Sequence, residues 1–221
     1  MFKKSLIALL VAGLVMSGSA VASEDNADVA VTLQSKLVDN GVALSDDVSA
    51  GVSARFNDVV LDGLFVNGKF DTLSLTPLNS DIAVRTEFGV GYQTEWFSDT
   101  KWEVSLNRVL NPVRYSDDYT EATLKVSKGI FYGEVTQGVT SRVNRDTYAA
   151  VGAEIELGRA TVGGLVSGVY YDKAEFNNAE VYAKYNVWRD LDLNVNYSYG
   201  GDGRNDVELD NVFWGGATYR F

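Results

Sequence analysis

Two pairs of carboxylates raise the question of chemistry. Glu154 and Glu156 stand two residues apart in "AAVGAEIELG", and Glu87 and Glu95 eight apart in "TEFGVGYQTEW". Paired carboxylates can do acid and base work when their surroundings hold one protonated and one ionised. The rest of a catalytic site is missing around them. The chain contains no His and no Cys, so a serine would lack the base that activates it and thiolate chemistry is absent. No glycine-rich phosphate loop, EF-hand loop or zinc spacing appears, and no cofactor is implied. "GGDGRND" from Gly200 has the Asp and Gly content of a Ca²⁺-holding loop, yet reads as a plain surface loop. The carboxylates are better read by asking which surface they line.

That surface is set by a period of two. In "DIAVRTEFGVGYQTEWF", Ile82, Val84, Thr86, Phe88, Val90, Tyr92, Thr94 and Trp96 alternate with Ala83, Arg85, Glu87, Gly89, Gly91, Gln93 and Glu95. A strand sends successive side chains to opposite faces, so this is a long ribbon with one apolar and one charged side. "TYAAVGAEIEL", "EVYAKYNV" and "LDLNVNYSY" repeat the pattern. About twelve such ribbons follow one another, near 29–38, 48–56, 59–70, 82–96, 101–110, 120–127, 130–140, 147–157, 160–171, 180–187, 191–199 and 211–221. Short connections ("ND", "FSDT", "KG", "GR", "WRDL") alternate with longer polar ones. "VNGK" at Val66–Lys69 resembles an Asn-Gly hairpin turn, but a turn there would make the strand count odd. It is expected at the loop end of a strand.

The first residues, "MFKKSLIALLVAGLVMSGSAVA", have the charged start, short apolar stretch and small-residue cleavage site of a secretory signal peptide. The expected organisation is a signal peptide over 1–22, exported through the Sec pathway, and one domain over 23–221. A net charge of −11 argues against nucleic acid. A secreted β-sandwich would also alternate. Aromatics at strand ends, and short turns at one end with long loops at the other, favour an all-β, antiparallel, up-and-down transmembrane β-barrel of the bacterial outer membrane.

In such a barrel the charged face points inward. The candidate lumen-lining residues are Lys36, Arg55, Asp62, Arg85, Glu87, Gln93, Glu95, Glu103, Asn107, Glu121, Lys125, Glu134, Glu154, Glu156, Lys184, Asp192, Asn194, Asn196 and Arg220. Acidic groups outnumber basic ones, which predicts weak cation preference. Two readings stay open: a narrow aqueous pore passing small hydrophilic solutes, or a plugged, non-conducting barrel with a structural or surface-interaction role. Arg108 falls in the outward phase, at the expected level of the lipid headgroups. The oligomeric state is not set by the pattern. Outer-membrane phospholipases, acyltransferases, deacylases and omptin-like proteases all use a His, so the expected barrel is not an enzyme.

The chain closes on "WGGATYRF". The spacing of Gly216, Tyr219 and Phe221 resembles the C-terminal signal by which outer-membrane barrels are recognised by their assembly machinery. "ADVAVTLQSKLVDNGVALSDDVSAGVSARF", "DGLFVNGKF" and "VRTEFGVGYQTEW" together resemble the TorF family of proposed porins in layout. The chain departs from that family where an aromatic- and Arg-rich segment is usual and "LVDNGVAL" stands instead. The resemblance implies a small outer-membrane barrel acting as a channel, surrounded by lipid and lipopolysaccharide, and carries over no solute. Deleting Phe221 is expected to impair assembly and leave any pore selectivity unchanged. Loss of the heat-modifiable folded band on gels checks the first part, and normal folding of the truncated chain would refute it.

Overall fold

The computed structural model describes residues 26–39, 42–45, 47–72, 84–110, 118–139, 147–170, 174–200 and 211–221. The expected signal peptide, the "GGDGRND" segment after Gly200 and most of the longer connections lie outside them. Most of the alternating sequence becomes strand: β1 (Ala27–Gln34), β2 (Leu37–Asp39), β3 (Val42–Ser45), β4 (Ser49–Asn57), β5 (Leu64–Thr72), β6 (Val84–Trp96), β7 (Thr100–Leu110), β8 (Tyr119–Lys128), β9 (Phe131–Gly138), β10 (Thr147–Leu157), β11 (Ala160–Tyr170), β12 (Ala174–Trp188), β13 (Leu191–Gly200) and β14 (Val212–Arg220). β2 and β3 pair only with each other. The other twelve form one closed antiparallel barrel in which each strand pairs with its neighbours in sequence and β1 joins β14 to β4.

The last strand meets the first over Ala30↔Arg220, Val31↔Tyr219, Thr32↔Thr218, Leu33↔Ala217 and Gln34↔Gly216. Ser35 N donates to Gly215 O at 2.8 Å, and Phe221 N donates to Val29 O at 2.9 Å, so pairing continues past both ends of β14. The Thr32 and Thr218 hydroxyls meet at 3.2 Å across this seam. Of the candidate assembly residues, Gly216 faces inward, while the Tyr219 and Phe221 rings lie outside in an edge-on contact of 4.9 Å.

The two faces reverse the usual distribution of a soluble protein. Outward Val151 is 61% exposed, and Val90, Val104, Leu106, Val166, Val195 and Leu193 are also exposed. Inward Arg85 is 6% and Asp71 3% exposed. A continuous exposed apolar belt of this extent marks a lipid-facing surface. Exposed aromatics gather at its turn end: Trp96, Phe97, Phe131, Trp188 and Phe221, with Trp96 and Phe97 stacked at 4.5 Å. The hairpins there are tight. Gly129 and Gly158 take φ of +57° and +66° at the first of two turn residues, a conformation glycine adopts without steric cost.

Four expected features differ. The first ribbon is not one strand: β1 stops at Gln34 and bends at Ser35–Lys36, so Lys36 lies beyond the barrel strand despite its matching parity. The third strand begins at Leu64 rather than Val59, because residues 58–63 form the turn; Asp58 accepts the Gly63 N–H at 2.6 Å. Asp62 therefore sits in that turn, not on the lumen wall, and Val60 is left 77% exposed. Asn67–Gly68, expected at the loop end, is mid-strand, with Arg55 and Ala54 opposite on one side and Gly89 and Phe88 on the other. β12 begins at Ala174, six residues before the expected Glu180. A bulge absorbs the extra residue: Ser167 opposes Asn178 whereas Gly168 opposes Phe176. Arg108 lies outward near the loop end of β7, beside Asp118 at 3.9 Å and Thr120 at 3.3 Å.

Val151→Lys puts an ammonium in the middle of the outer belt and is expected to cost about 2–4 kcal/mol in lipid vesicles. Urea titration of the vesicle-folded protein checks this value.

Candidate functional site

Among the described residues, the barrel interior is the concave surface to which most strands contribute, and register decides which of its side chains meet. Arg55, projecting from β4, is held on every nitrogen. Nη1 donates to Glu103 at 2.9 Å, Nη2 to Gln93 at 2.7 Å and Nε to Asn57 at 2.9 Å. Its guanidinium carbon stands 3.6 Å above the Phe65 ring. Phe65 is 2% exposed and directly opposes Gly91, where a Cβ would overlap the ring. Gly91, Phe65 and Arg55 thus stack inward from the wall, and the Glu103 bond carries that stack from β4 across to β7.

Lys125, the cross-strand partner of Glu103, forms an ion pair with Glu134 at 3.3 Å. Toward the loop end, Lys69 pairs with Asp71 at 2.8 Å and Arg85 lies 4.0 Å from Glu87. At the seam, Asp192 takes Lys184 at 3.3 Å, Asn186 at 3.0 Å and a short contact from Arg220. Glu95 meets Lys101 at 3.7 Å near the turn end. Each of these pairs joins residues on neighbouring strands or close along one strand; Arg55–Glu103 reaches over two intervening strands.

Among the described residues, two cavities of the interior lie end to end along the charged wall. One of about 480 Å³ is lined by Arg55, Arg85, Glu87, Glu103, Asn107, Glu121, Lys125, Glu134 and Arg220 among the candidate residues. The second, about 620 Å³, reaches Asp58, Gln93, Glu95, Lys101 and Tyr132 at the turn end. They share Glu103, Lys125 and Glu134. A solute moving along the axis would pass Glu103, which Arg55 holds, and the Lys125–Glu134 pair.

The β10–β12 wall is different. Glu154, Glu156 and Glu180 face inward, and among the described residues none has an ion-pair partner. Asn194 and Asn196 share the inward face of β13 beside them. The rings of Tyr132 and Tyr182 lie over their cross-strand partners Gly152 and Gly163, where an added Cβ would meet the phenol ring. These large side chains lie along the wall instead of projecting across the lumen, because the opposite residue offers no side chain.

Sequence reading did not single out Phe65, Asn67, Lys69, Asp71, Tyr132 or Tyr182. The odd-numbered alternation of Asn67, Lys69 and Asp71 was available as a signal once β5 is phased from Leu64. Alternation puts Tyr182 on the polar face with Glu180, Lys184 and Asn186, but nothing local brings it to Tyr132 or Glu154, which only the register does.

The sequence matches no family model and no curated protein, so the TorF resemblance gains no support from that side. In fold the chain is similar to the KdgM porin, with a TM-score of 0.61 at 9% identity over 88% of this chain and 99% of that one. That porin has also been solved in complex with disordered oligogalacturonate, where the TM-score is 0.58 at 10% identity, covering 89% and 99%. Outer-membrane protein Omp33 of Acinetobacter baumannii gives 0.52 at 7% identity, covering 89% and 98%. Outer-membrane phospholipase A of Escherichia coli gives 0.52 at 16%, covering 93% and 96%. At these identities the likeness is one of fold, a fold that hosts both porins and an enzyme.

Gly152→Ala is expected to destabilise the barrel by about 1–3 kcal/mol, because the new methyl meets both the Tyr132 ring and the Gly164 carbonyl oxygen. A lowered urea midpoint at unchanged m-value checks it. Stability equal to wild type would refute the close approach.

Proposed function

We propose that this chain is an outer-membrane channel for passive diffusion of small hydrophilic solutes, with weak preference for cations. The observation that carries the reading is the pair of contiguous, charge-lined cavities within a barrel whose outer belt is apolar. A histidine-dependent hydrolytic reading has no base to run on, since the full sequence lacks histidine.

Cation preference rests on how charge is distributed. The inward basic groups Arg55, Lys69, Lys101, Lys125, Lys184 and Arg220 are each tied to a carboxylate, whereas Glu154, Glu156 and Glu180 carry negative charge with no basic partner among the described residues. Lumen charge sets selectivity by this imbalance. Oligogalacturonate, present with the KdgM porin, is a polyanion, and an acidic lumen disfavours such a cargo here. Delivery to the membrane fits a leader over 1–22 and recognition of Gly216, Tyr219 and Phe221 by the barrel assembly machinery, with lipid and lipopolysaccharide around the apolar belt.

Reconstitution in a planar bilayer tests the reading. The wild-type protein should conduct, with a reversal potential of the cation-preferring sign in a KCl gradient. Arg55→Ala should raise single-channel conductance, because it removes the strut at the junction of the two cavities. Replacing Glu154, Glu156 and Glu180 together by Gln should move the cation-to-anion permeability ratio toward one. Folded protein without conductance would overturn the channel and favour the non-conducting structural barrel.

A further inference from the structure

Hydrogen bonding gives the tyrosine-lined wall a chemical direction. Tyr182 donates its hydroxyl proton to Glu154 Oε2 at 2.8 Å. The Tyr132 and Tyr182 hydroxyls lie 3.5 Å apart, and with the Tyr182 proton engaged, Tyr132 is the donor in that weaker contact. Both phenol protons thus run toward one carboxylate. The wall keeps acceptors to offer a solute, namely carboxylate oxygens and the electron-rich ring faces. The phenol end of each ring lies over a glycine, Gly152 or Gly163, and both tyrosines stay partly exposed on the inner wall.

The charges nearby reinforce this. Glu156 and Glu180 share the inward face of the same wall. The inward lysines are engaged with other carboxylates: Lys101 with Glu95 at 3.7 Å, Lys125 with Glu134 at 3.3 Å and, on β12 itself, Lys184 with Asp192 at 3.3 Å.

We propose that the β10–β12 wall, with Tyr182 and Glu154 at its centre and the Tyr132 side chain laid over it from β9, is a binding track for small organic cations of the alkylammonium type. This deepens the channel reading and rests on it for the route of entry. A ring face beside an uncompensated carboxylate attracts a weakly hydrated ammonium carrying apolar substituents. A potassium ion keeps its water and gains little from the ring. A neutral sugar needs donors as well as acceptors, and the phenol protons are already committed. An anion meets three carboxylates.

The test uses full-length folded protein with two readouts. In planar bilayers, the choline-to-potassium permeability ratio should fall about two- to fivefold in Tyr132→Leu/Tyr182→Leu, the loss of one exposed cation–π contact. Tyr132→Phe/Tyr182→Phe, which keeps the ring faces, should stay near wild type. Isothermal titration of detergent-folded protein with benzyltrimethylammonium should show the same ordering of affinities, and Glu154→Gln should weaken binding. Conductance with a choline ratio unchanged in the leucine variant overturns the track and leaves the channel standing. Titrated binding that orders as expected in a barrel that does not conduct overturns the channel and leaves the ammonium site standing.

Discussion

Closure of the sheet is the constraint on which everything else depends. Hydrocarbon offers no partner to a backbone N–H or C=O, so a sheet surrounded by it cannot keep an edge. Here β1 and β14 meet that demand over five cross-strand pairs. Added bonds from Ser35 to Gly215 and from Phe221 to Val29 extend the pairing at each end. The terminal aromatic is therefore bound by its backbone before its ring contributes anything. Were this seam open, both flanking strands would expose unpaired groups, and the inward and outward faces would lose their meaning.

Once the sheet is closed, its interior has to be filled or left open, and the lumen does some of each. On the β4–β9 side, long charged groups neutralise one another and a guanidinium is stacked on a phenylalanine. On the β10–β12 side, glycines stand opposite tyrosines, so the bulkiest side chains lie flat and the wall recedes. Crossed ion pairs and flattened rings are opposite solutions to the same geometric problem. Their combination produces an interior that is asymmetric in charge: balanced on one side, acidic on the other.

The barrel and its twelve crossings could be read from a period of two, because alternation is a property of the strand alone and needs no partner. The same parity placed Arg55, Arg85, Glu103, Glu134, Glu154 and Arg220 on the inner face. Parity failed where the chain leaves the strand without changing its hydrophobicity. Lys36 follows a bend at Ser35, and the apolar run Val59–Leu61 belongs to a turn closed by the Asp58 carboxylate. It failed again at β12, where a polar "NN" conceals a bulge that lets the strand continue.

By itself the sequence determined which face most ribbon residues occupy, the third ribbon excepted, and with it an acidic inner face within an apolar belt. The tertiary structure alone decided the company those residues keep. Arg55 reaches Glu103 from 48 residues away, and Tyr182 reaches Glu154 from 28. Gly152 lies beneath Tyr132 because one strand pairs with the next at a particular offset. Alternation is a local property and repeats identically under any even shift of register. The offset between strands is set by turns, bulges and closure together, and only that offset turns a list of inward residues into an interior with two unlike walls.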